Sequence, residues 1–270
     1  MNNKSNFVEL AESQRIWAIG SIHSNLNSFE SIRDFIISEF KGSDKLIFLG
    51  NVIGLGNHAK ETITEVNKLR FRIMSKFKLK SNSIVYLRGA QEEMFSKLLQ
   101  LQTAPNPEEI LKWMLEHGVD KTINSYGLST NELKSISTSG TLNITKWTTN
   151  LNKLISSIPG HKEYFLNLKH AAFSKSKKIL FVNRGVDISR PLSAQNDCFW
   201  WGYQNFSKIN EPYKSFVRIV RGYESKHVHD INMSKNNVLC TLFKQPLNNK
   251  KIFAGLFSEN GDILDIFESN

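Results

Sequence analysis

The sequence has few cysteines and no long apolar run, and each shortage excludes a class of protein. Cys198 and Cys240 are the only cysteines among 270 residues, which is too few for a disulfide framework or a zinc motif. We interpret both as small buried apolar residues. No apolar stretch approaches the roughly 20 residues of a membrane-spanning helix. Residues 1–14 are polar and resemble neither a secretion signal nor a transit peptide. These shortages predict a cytoplasmic protein that does not engage a membrane.

Acidic residues are in the minority, with 25 Asp and Glu against 35 Lys and Arg and a net charge of +10. The densest positive run is 68–80, where helical spacing would bury Leu69, Ile73 and Phe77 on one side and present cations on the other. A solvated basic face is the plainer interpretation of this run. Binding to nucleic acid is the less favoured alternative, and a steep salt dependence of DNA or RNA retention would identify it.

The first ninety residues alternate between short apolar runs that end in glycine and helical patterns. This alternation predicts a βαβ arrangement whose functional loops follow the carboxyl ends of the strands. The predicted strands are 15–19, 45–49 and 83–87, and the predicted helices are 25–40 and 61–77.

The remainder of the chain divides into a helical part and a strand-rich part. Residues 91–167 show helical periodicity without a strong strand, which is typical of a cap over a site. The strand-rich part suggests a second, largely antiparallel sheet. Its predicted strands are 164–172, 178–182, 216–220, 237–243, 251–257 and 263–267. We therefore expect an α/β sandwich of two mixed sheets flanked by helices, spanning 15–270, with a helical cap at roughly 96–160 and a flexible segment at 1–14.

Three glycine-led loops carry the strongest signal, at residues 20–24 (GSIHS), 50–56 (GNVIGLG) and 89–92 (GAQE). Their order and positions resemble the GD-x-HG, GD-x-x-DRG and GNHE loops of the calcineurin-like metallophosphoesterases, in the branch of the PPP-type phosphoprotein phosphatases and diadenosine tetraphosphatases. Later segments resemble the same family over most of 15–270. They are 115–127, 158–166, 181–186, 199–202 and 216–223.

The resemblance implies a site in which two divalent ions such as Mn or Fe activate water and polarise a phosphoryl group. Carrying over the family's ligands position by position leaves His23 as the one retained ligand type. The other five positions hold Ser21, Asn51, Ala90, Asn183 and Tyr223. No position carries a carboxylate to offset the charge of two ions, so we expect a degenerate site without metal.

The positions that the resemblance assigns to acid catalysis and phosphate binding are also replaced. Gln91 stands at the position of the leaving-group acid and has no proton to give. Gly54 and Leu55 stand where the DRG loop has its aspartate and arginine. A metal centre rebuilt from Glu92, His58 and the run 227–230 (HVHD) is a less favoured alternative.

Three arginines would approach the former phosphate pocket if the fold is retained. Arg88, Arg184 and Arg221 could bind an anion without metal, because guanidinium groups bind phosphate through two parallel hydrogen bonds. Alternatively, these arginines pair with carboxylates of the protein, for which the candidates are Glu92, Asp187 and Glu224.

Two functions of different class follow. The favoured one is an inactive metallophosphatase-like protein, a pseudophosphatase, that serves as a binding, regulatory or scaffolding module for an unidentified protein partner or a phosphate-bearing ligand. The alternative is a divergent phosphoesterase of the protein serine/threonine phosphatase or dinucleoside tetraphosphatase type, which would need two divalent metal ions.

Overall fold

The computed structural model describes residues 6–202, 204, 206–224, 238–244 and 251–270. These residues contain two five-stranded sheets with helices on their outer faces. The strands are β1 (Phe7–Glu9), β2 (Arg15–Ile19), β3 (Lys45–Phe48), β4 (Ile84–Tyr86), β5 (Ala171–Phe173), β6 (Ile179–Val182), β7 (Arg218–Arg221), β8 (Leu239–Thr241), β9 (Phe253–Ser258) and β10 (Ile263–Glu268).

The helices lie between these strands, and most of them precede β5. They are α1 (Leu26–Glu39), α2 (Ala59–Phe77), α3 (Ala90–Leu98), α4 (Pro107–Glu116), α5 (Val119–Ser125), α6 (Thr130–Ser137), α7 (Thr141–Ser157), α8 (His161–Leu166) and α9 (Cys198–Trp201). None of them is both long and apolar enough to cross a membrane.

The first sheet has the strand order β10-β9-β2-β3-β4. β2, β3 and β4 are parallel neighbours and are apolar almost throughout, which is typical of strands that are covered on both faces. α1 and α2 are the crossovers between these strands. The βαβ prediction is therefore confirmed. β9 and β10 extend the sheet by antiparallel pairing to β2 and to each other.

The second sheet has the order β1-β5-β6-β7-β8, and among these strands only β5 and β6 pair in antiparallel fashion. The prediction of a largely antiparallel second sheet is therefore wrong. The connection from β6 to β7 is a long crossover that includes α9, and long crossovers join parallel strands. The pair joined by a short turn, β9 and β10, belongs to the first sheet. Both sheets are mixed, as the expected fold class requires.

Two boundaries also differ from the sequence-based prediction. Residues 7–9, expected in a flexible segment, form β1 against β5, because Leu10 and the partly buried Val8 pack into the apolar layer between the sheets. Residues 164–166, expected in a strand, end α8. Its buried residues His161 and Tyr164 are three apart, which is the spacing of a helix.

The alternation of side chains along the strands creates three apolar layers. Residues such as Ile47 and Leu49 meet Phe181 and Val220 between the two sheets. The opposite face of the first sheet packs against α1, α2 and the helices of 90–166. The opposite face of the second sheet packs against α9 and residues near it. Cys198 and Cys240 are both buried, as predicted.

His161 connects the helical region 90–166 to α2 through two hydrogen bonds. Its Nε2 lies 3.0 Å from Thr64 Oγ1 and its Nδ1 lies 2.8 Å from the Tyr126 hydroxyl. The Thr64 hydroxyl donates to the Lys60 carbonyl, so Nε2 carries the proton and Nδ1 accepts from Tyr126. Protonation of Nδ1 would remove that acceptor.

We predict that His161 makes stability fall in mild acid. Burial lowers the pKa of His161 to about 4, whereas an unfolded histidine titrates near 6.5. The stabilisation that His161 provides is therefore complete above a pH of about 6.5. It is lost as the pH falls toward about 4, because the unfolded state then binds the extra proton. His161→Gln should lower the melting temperature at pH 7.5 and make its decline between pH 6.5 and 5 shallower. The exposed His58→Gln is the control, and an unchanged slope in His161→Gln would contradict this prediction.

Candidate functional site

The loops that follow β2, β3 and β7 meet at one edge of the sandwich. The backbone N–H groups of Ile22 and His23 donate to the Asn51 carbonyl at 3.1 and 2.8 Å. The Ser21 N–H donates to the Gly222 carbonyl at 3.0 Å. The carboxyl ends of strands from both sheets are therefore held together by main-chain hydrogen bonds, and the glycine-led loops lie in contact.

Glu92, in the first turn of α3, is the centre of this edge. Its carboxylate accepts hydrogen bonds from the backbone N–H groups of residues 51–53 at 2.7 to 3.2 Å and from that of Gly89 at 2.9 Å. The Tyr164 hydroxyl of α8 donates to the same carboxylate at 3.2 Å. Burial raises the pKa of Glu92, and the hydrogen bonds from the backbone oppose that rise. Because its oxygens are engaged in this way, Glu92 is not placed as a metal ligand.

Asn51, at the position of the bridging carboxylate, is satisfied by its neighbours. Its Oδ1 accepts from the Gln91 N–H at 3.1 Å, and its Nδ2 donates to Ser21 Oγ at 3.3 Å. Ser21 Oγ in turn donates to the Gly50 carbonyl at 3.3 Å. A Cβ at Gly89 would lie 2.3 Å from Asn51 Oδ1, so the glycine of the third loop is what allows this close approach. Ala90 follows it at the start of α3 and offers no donor atom.

Asn183 and Tyr223 bring the second sheet to the same place. Asn183 Nδ2 donates to the Leu49 carbonyl at 2.6 Å, and its main-chain carbonyl accepts from the Tyr223 N–H at 3.0 Å. The Tyr223 ring meets the His23 ring edge-on, with centroids 5.2 Å apart. Burial raises the pKa of Tyr223, so its hydroxyl is neutral at pH 7.

His23 is held in the left-handed region, at φ +50°, with both ring nitrogens buried and without a hydrogen-bond partner of ordinary geometry. Burial lowers the pKa of His23 to about 4, and the backbone of Ile53 opposes this shift weakly. The imidazole is therefore neutral at pH 7.

Gln91 and Gly54, two of the replaced positions, fit together sterically. The Gln91 side chain reaches toward the helical region and its Nε2 donates to the His117 carbonyl at 2.9 Å. A Cβ at Gly54 would lie only 2.0 Å from Gln91 Oε1, and Gly54 has φ +85°. An aspartate at position 54 would therefore displace Gln91 from this position. Leu55 is exposed and lies against Gly118.

Two of the three arginines pair with carboxylates. The Arg221 side chain is 2% exposed, and its Nη1 lies 2.6 Å from Glu224 Oε2, as the alternative interpretation expected. Arg88 pairs with Glu93, a partner that the sequence analysis did not consider. The other two carboxylates considered are engaged elsewhere, because Asp187 pairs with Arg190 and Glu92 binds the backbone.

Arg184 differs from the other two, because its guanidinium carbon lies 5.6 Å from the centroid of the Tyr223 ring in a half-buried position. It is therefore the arginine that lies directly beside one of the former ligand positions. Binding of an anion by Arg88, Arg184 and Arg221 stays a prediction.

The residues at the ligand positions do not fit a centre of two divalent ions. They offer one imidazole, neutral hydroxyl and amide oxygens, and no carboxylate, whereas hard divalent cations require anionic oxygen ligands. Among the residues that the structure describes, no group of three or more His, Cys, Asp or Glu is placed to hold a metal ion. His58 is exposed at the start of α2, and the run 227–230 lies outside the described residues.

The arrangement of the two sheets and the converging loops has solved counterparts. A proposed diadenosine tetraphosphatase superposes with a TM-score of 0.56 at 13% identity, covering 98% of this chain and 99% of the other. A protein serine/threonine phosphatase from Saccharomyces cerevisiae superposes with a TM-score of 0.51 at 13% identity, covering 98% and 84%. The chain has the calcineurin-like metallophosphoesterase fold. No protein-family model and no curated protein matches the sequence.

The metallophosphoesterase fold also creates a cavity that the sequence analysis missed. It has a volume of about 680 Å³ and adjoins Ser21, His23 and Tyr223. Its further walls come from Lys121, which is distant in the sequence, and from Lys244 and Lys251, and these lysines belong to no motif. Only the fold brings these lysines together, so no local pattern could have indicated them.

The basic run 68–80 is less continuous than predicted. Leu69 and Ile73 are buried as expected. Lys68, however, pairs with Glu65, and Arg70 lies 5.6 Å from the centroid of the Tyr86 ring. Several cations of the run are thus in contact with the protein's own groups. Binding of nucleic acid stays a prediction.

We predict that Glu92 is a principal determinant of stability at this edge. Glu92→Gln keeps the volume but turns an amide NH₂ toward N–H donors. It should lower the free energy of unfolding by about 2–3 kcal/mol, as expected for lost hydrogen bonds to a buried charge. Urea denaturation measures this, with Glu116→Gln at an exposed position of α4 as the matched control, expected within about 0.5 kcal/mol of the parent. Equal effects of the two substitutions would contradict the role given to Glu92.

Proposed function

We propose that this chain is a catalytically inactive metallophosphatase-like protein that acts as a binding module and holds a phosphate-bearing ligand without hydrolysing it. The observation that carries the proposal is the pair of hydrogen bonds made by the Asn51 side chain. At the position that would bridge two ions, a neutral amide makes one hydrogen bond to the backbone of Gln91 and one to Ser21. The polar groups of this position are thus used to hold the loops together.

The chemistry of the surrounding groups supports the same conclusion. Activation of water by two divalent ions requires carboxylates that hold them, and Ser21 and Asn51 provide neutral oxygens in their place. Departure of an alkoxide leaving group requires an acid, and Gln91 supplies none. The cavity lined by lysines provides binding capacity next to this edge.

An exposed aromatic pair supports a role in engaging a protein partner. Trp113 of α4 and Trp201 of α9 are 41% and 38% exposed, with ring centroids 5.8 Å apart. The Trp113 ring also lies against the His117 ring in a tilted arrangement, and the His117 carbonyl accepts from Gln91. Large exposed aromatic side chains are enriched in protein interfaces, so this pair is the first surface to test by substitution.

We predict that restoring the family's carboxylate at position 51 destabilises the protein and that metal does not reverse this. Asn51 is 1% exposed, and in Asn51→Asp the new carboxylate loses the donor to Ser21 and lies close to Glu92. The free energy of unfolding should fall by about 1–3 kcal/mol, both with and without Mn²⁺. Asn57→Asp, at an exposed position of the same loop, is the matched control. A selective rescue of Asn51→Asp by Mn²⁺ would show that the remaining groups still bind a metal ion.

The function itself is tested by hydrolysis assays on the untagged chain with Mn²⁺ or Fe²⁺. The substrates are p-nitrophenyl phosphate, a phosphoserine peptide and diadenosine tetraphosphate. We expect no turnover above that of a parallel preparation of His23→Ala, the one retained ligand type. Turnover that is lost in His23→Ala would overturn the proposal and establish the divergent phosphoesterase.

A further inference from the structure

The cavity of about 680 Å³ beside His23 is positively charged. Lys121, Lys244, Lys251 and His58 line it, and none of the described lining residues is an aspartate or glutamate. Lys251 Nζ pairs with Glu268 at 2.7 Å and Lys121 Nζ lies 3.6 Å from Asp120, so two of the lysines are partly neutralised from outside the cavity. Lys244 has no ion-pair partner among the described residues. The lining therefore favours an anion.

The N-terminus of α1 opens onto the same cavity and adds a second source of positive potential. This helix has 14 residues, has no acidic residue in its first turn, and contributes Asn25, Leu26 and Asn27 to the lining. The Asn25 side chain accepts from the Ser28 N–H, at 3.4 Å. The N–H groups of Leu26 and Asn27 belong to the first turn, where helices have no internal acceptors and where phosphate groups commonly bind.

Ser24 is a second feature of the cavity, independent of the helix N-terminus, that could bind an acceptor. It lines the cavity and is 1% exposed, yet its hydroxyl has no hydrogen-bond partner. Its main chain is fixed, because its N–H donates to the Val52 carbonyl at 2.9 Å in the left-handed conformation. A buried hydroxyl without a partner is rare in proteins and costs free energy, which a bound acceptor would recover.

Two aromatic rings also line the cavity. Phe243 and Tyr223 have ring centroids 4.9 Å apart, and both line the cavity in half-buried positions. Flat rings pack favourably against aromatic side chains. The volume lies within the range of about 300–1,000 Å³ typical of small-molecule sites.

We propose that this cavity binds an aromatic organic phosphate, for which a mononucleotide is the probe. The phosphoryl group accepts hydrogen bonds from Ser24 and from the N-terminus of α1, with the lysines neutralising its charge. The base packs against Phe243 and Tyr223. The inference rests on the proposed function, which is that the chain holds a phosphate-bearing ligand without hydrolysing it. The bound phosphate lies beside the positions that the resemblance assigns to metal ligands, and not on them.

The test is calorimetric titration of the full chain with AMP, inorganic phosphate and adenosine. AMP should bind more tightly than either fragment, and binding should weaken as salt is raised. Ser24→Ala should weaken AMP binding about tenfold, as expected for one hydrogen bond to a charged acceptor. The melting temperature of the Ser24→Ala variant should equal that of the parent, since the hydroxyl has no partner to lose. Lys121→Gln should weaken AMP binding in the same way, whereas Lys112→Gln, on an exposed turn of α4, should leave AMP binding unchanged.

Two results would overturn the inference: AMP that binds no better than adenosine, or AMP binding that is unchanged in both Ser24→Ala and Lys121→Gln. Either result leaves the proposed lack of hydrolysis intact. Chromatography of the titrated AMP separates the two hypotheses further. AMP that binds as described and is then hydrolysed by the chain sustains this site and overturns the proposed function.

Discussion

The carboxylate of Glu92 is the interaction on which the rest of this edge depends. One side chain accepts from the main chain of the loop after β3, from the start of α3 and from Tyr164 of α8. A buried carboxylate is tolerated only when hydrogen bonds offset its desolvation, and here the donors come from elements far apart in the sequence. The same bonds fix Asn51 where Ser21 and Gln91 reach it. One carboxylate therefore holds loops and helices of this edge together.

The residues at the positions that the resemblance assigns to metal ligands and acid catalysis contact one another. Asn51 is bonded to Ser21 and to the backbone of Gln91, and the Gln91 side chain occupies the space that Gly54 leaves open. Ser21 Oγ, the Asn51 amide and Gln91 Nε2 thus each bond to a neighbouring group of the edge. Gln91 Oε1, Asn183 Oδ1, the His23 ring nitrogens and the Ser24 hydroxyl remain without a partner among the described residues, and His23 and Ser24 lie at the lysine-lined cavity.

Much of this could be predicted from the sequence, because the decisive signals are local. Each early strand is a short apolar run closed by glycine, so the loops and the positions within them could be located. The direction of the second sheet could not, because it depends on the long path from β6 to β7 and not on any pattern within a strand. The carboxylate partner of Arg88 and the lysine-lined cavity could not be predicted either, since only tertiary packing decides which side chains meet.

The central claim is that this metallophosphoesterase fold is held together without the two-metal centre. It is tested most directly by the metal content of untagged protein, purified from cells grown with manganese and iron and measured by inductively coupled plasma mass spectrometry. The account predicts far less than one ion of either metal per chain in a folded preparation. About two ions per chain, lost together with the fold on treatment with a chelator, would contradict it.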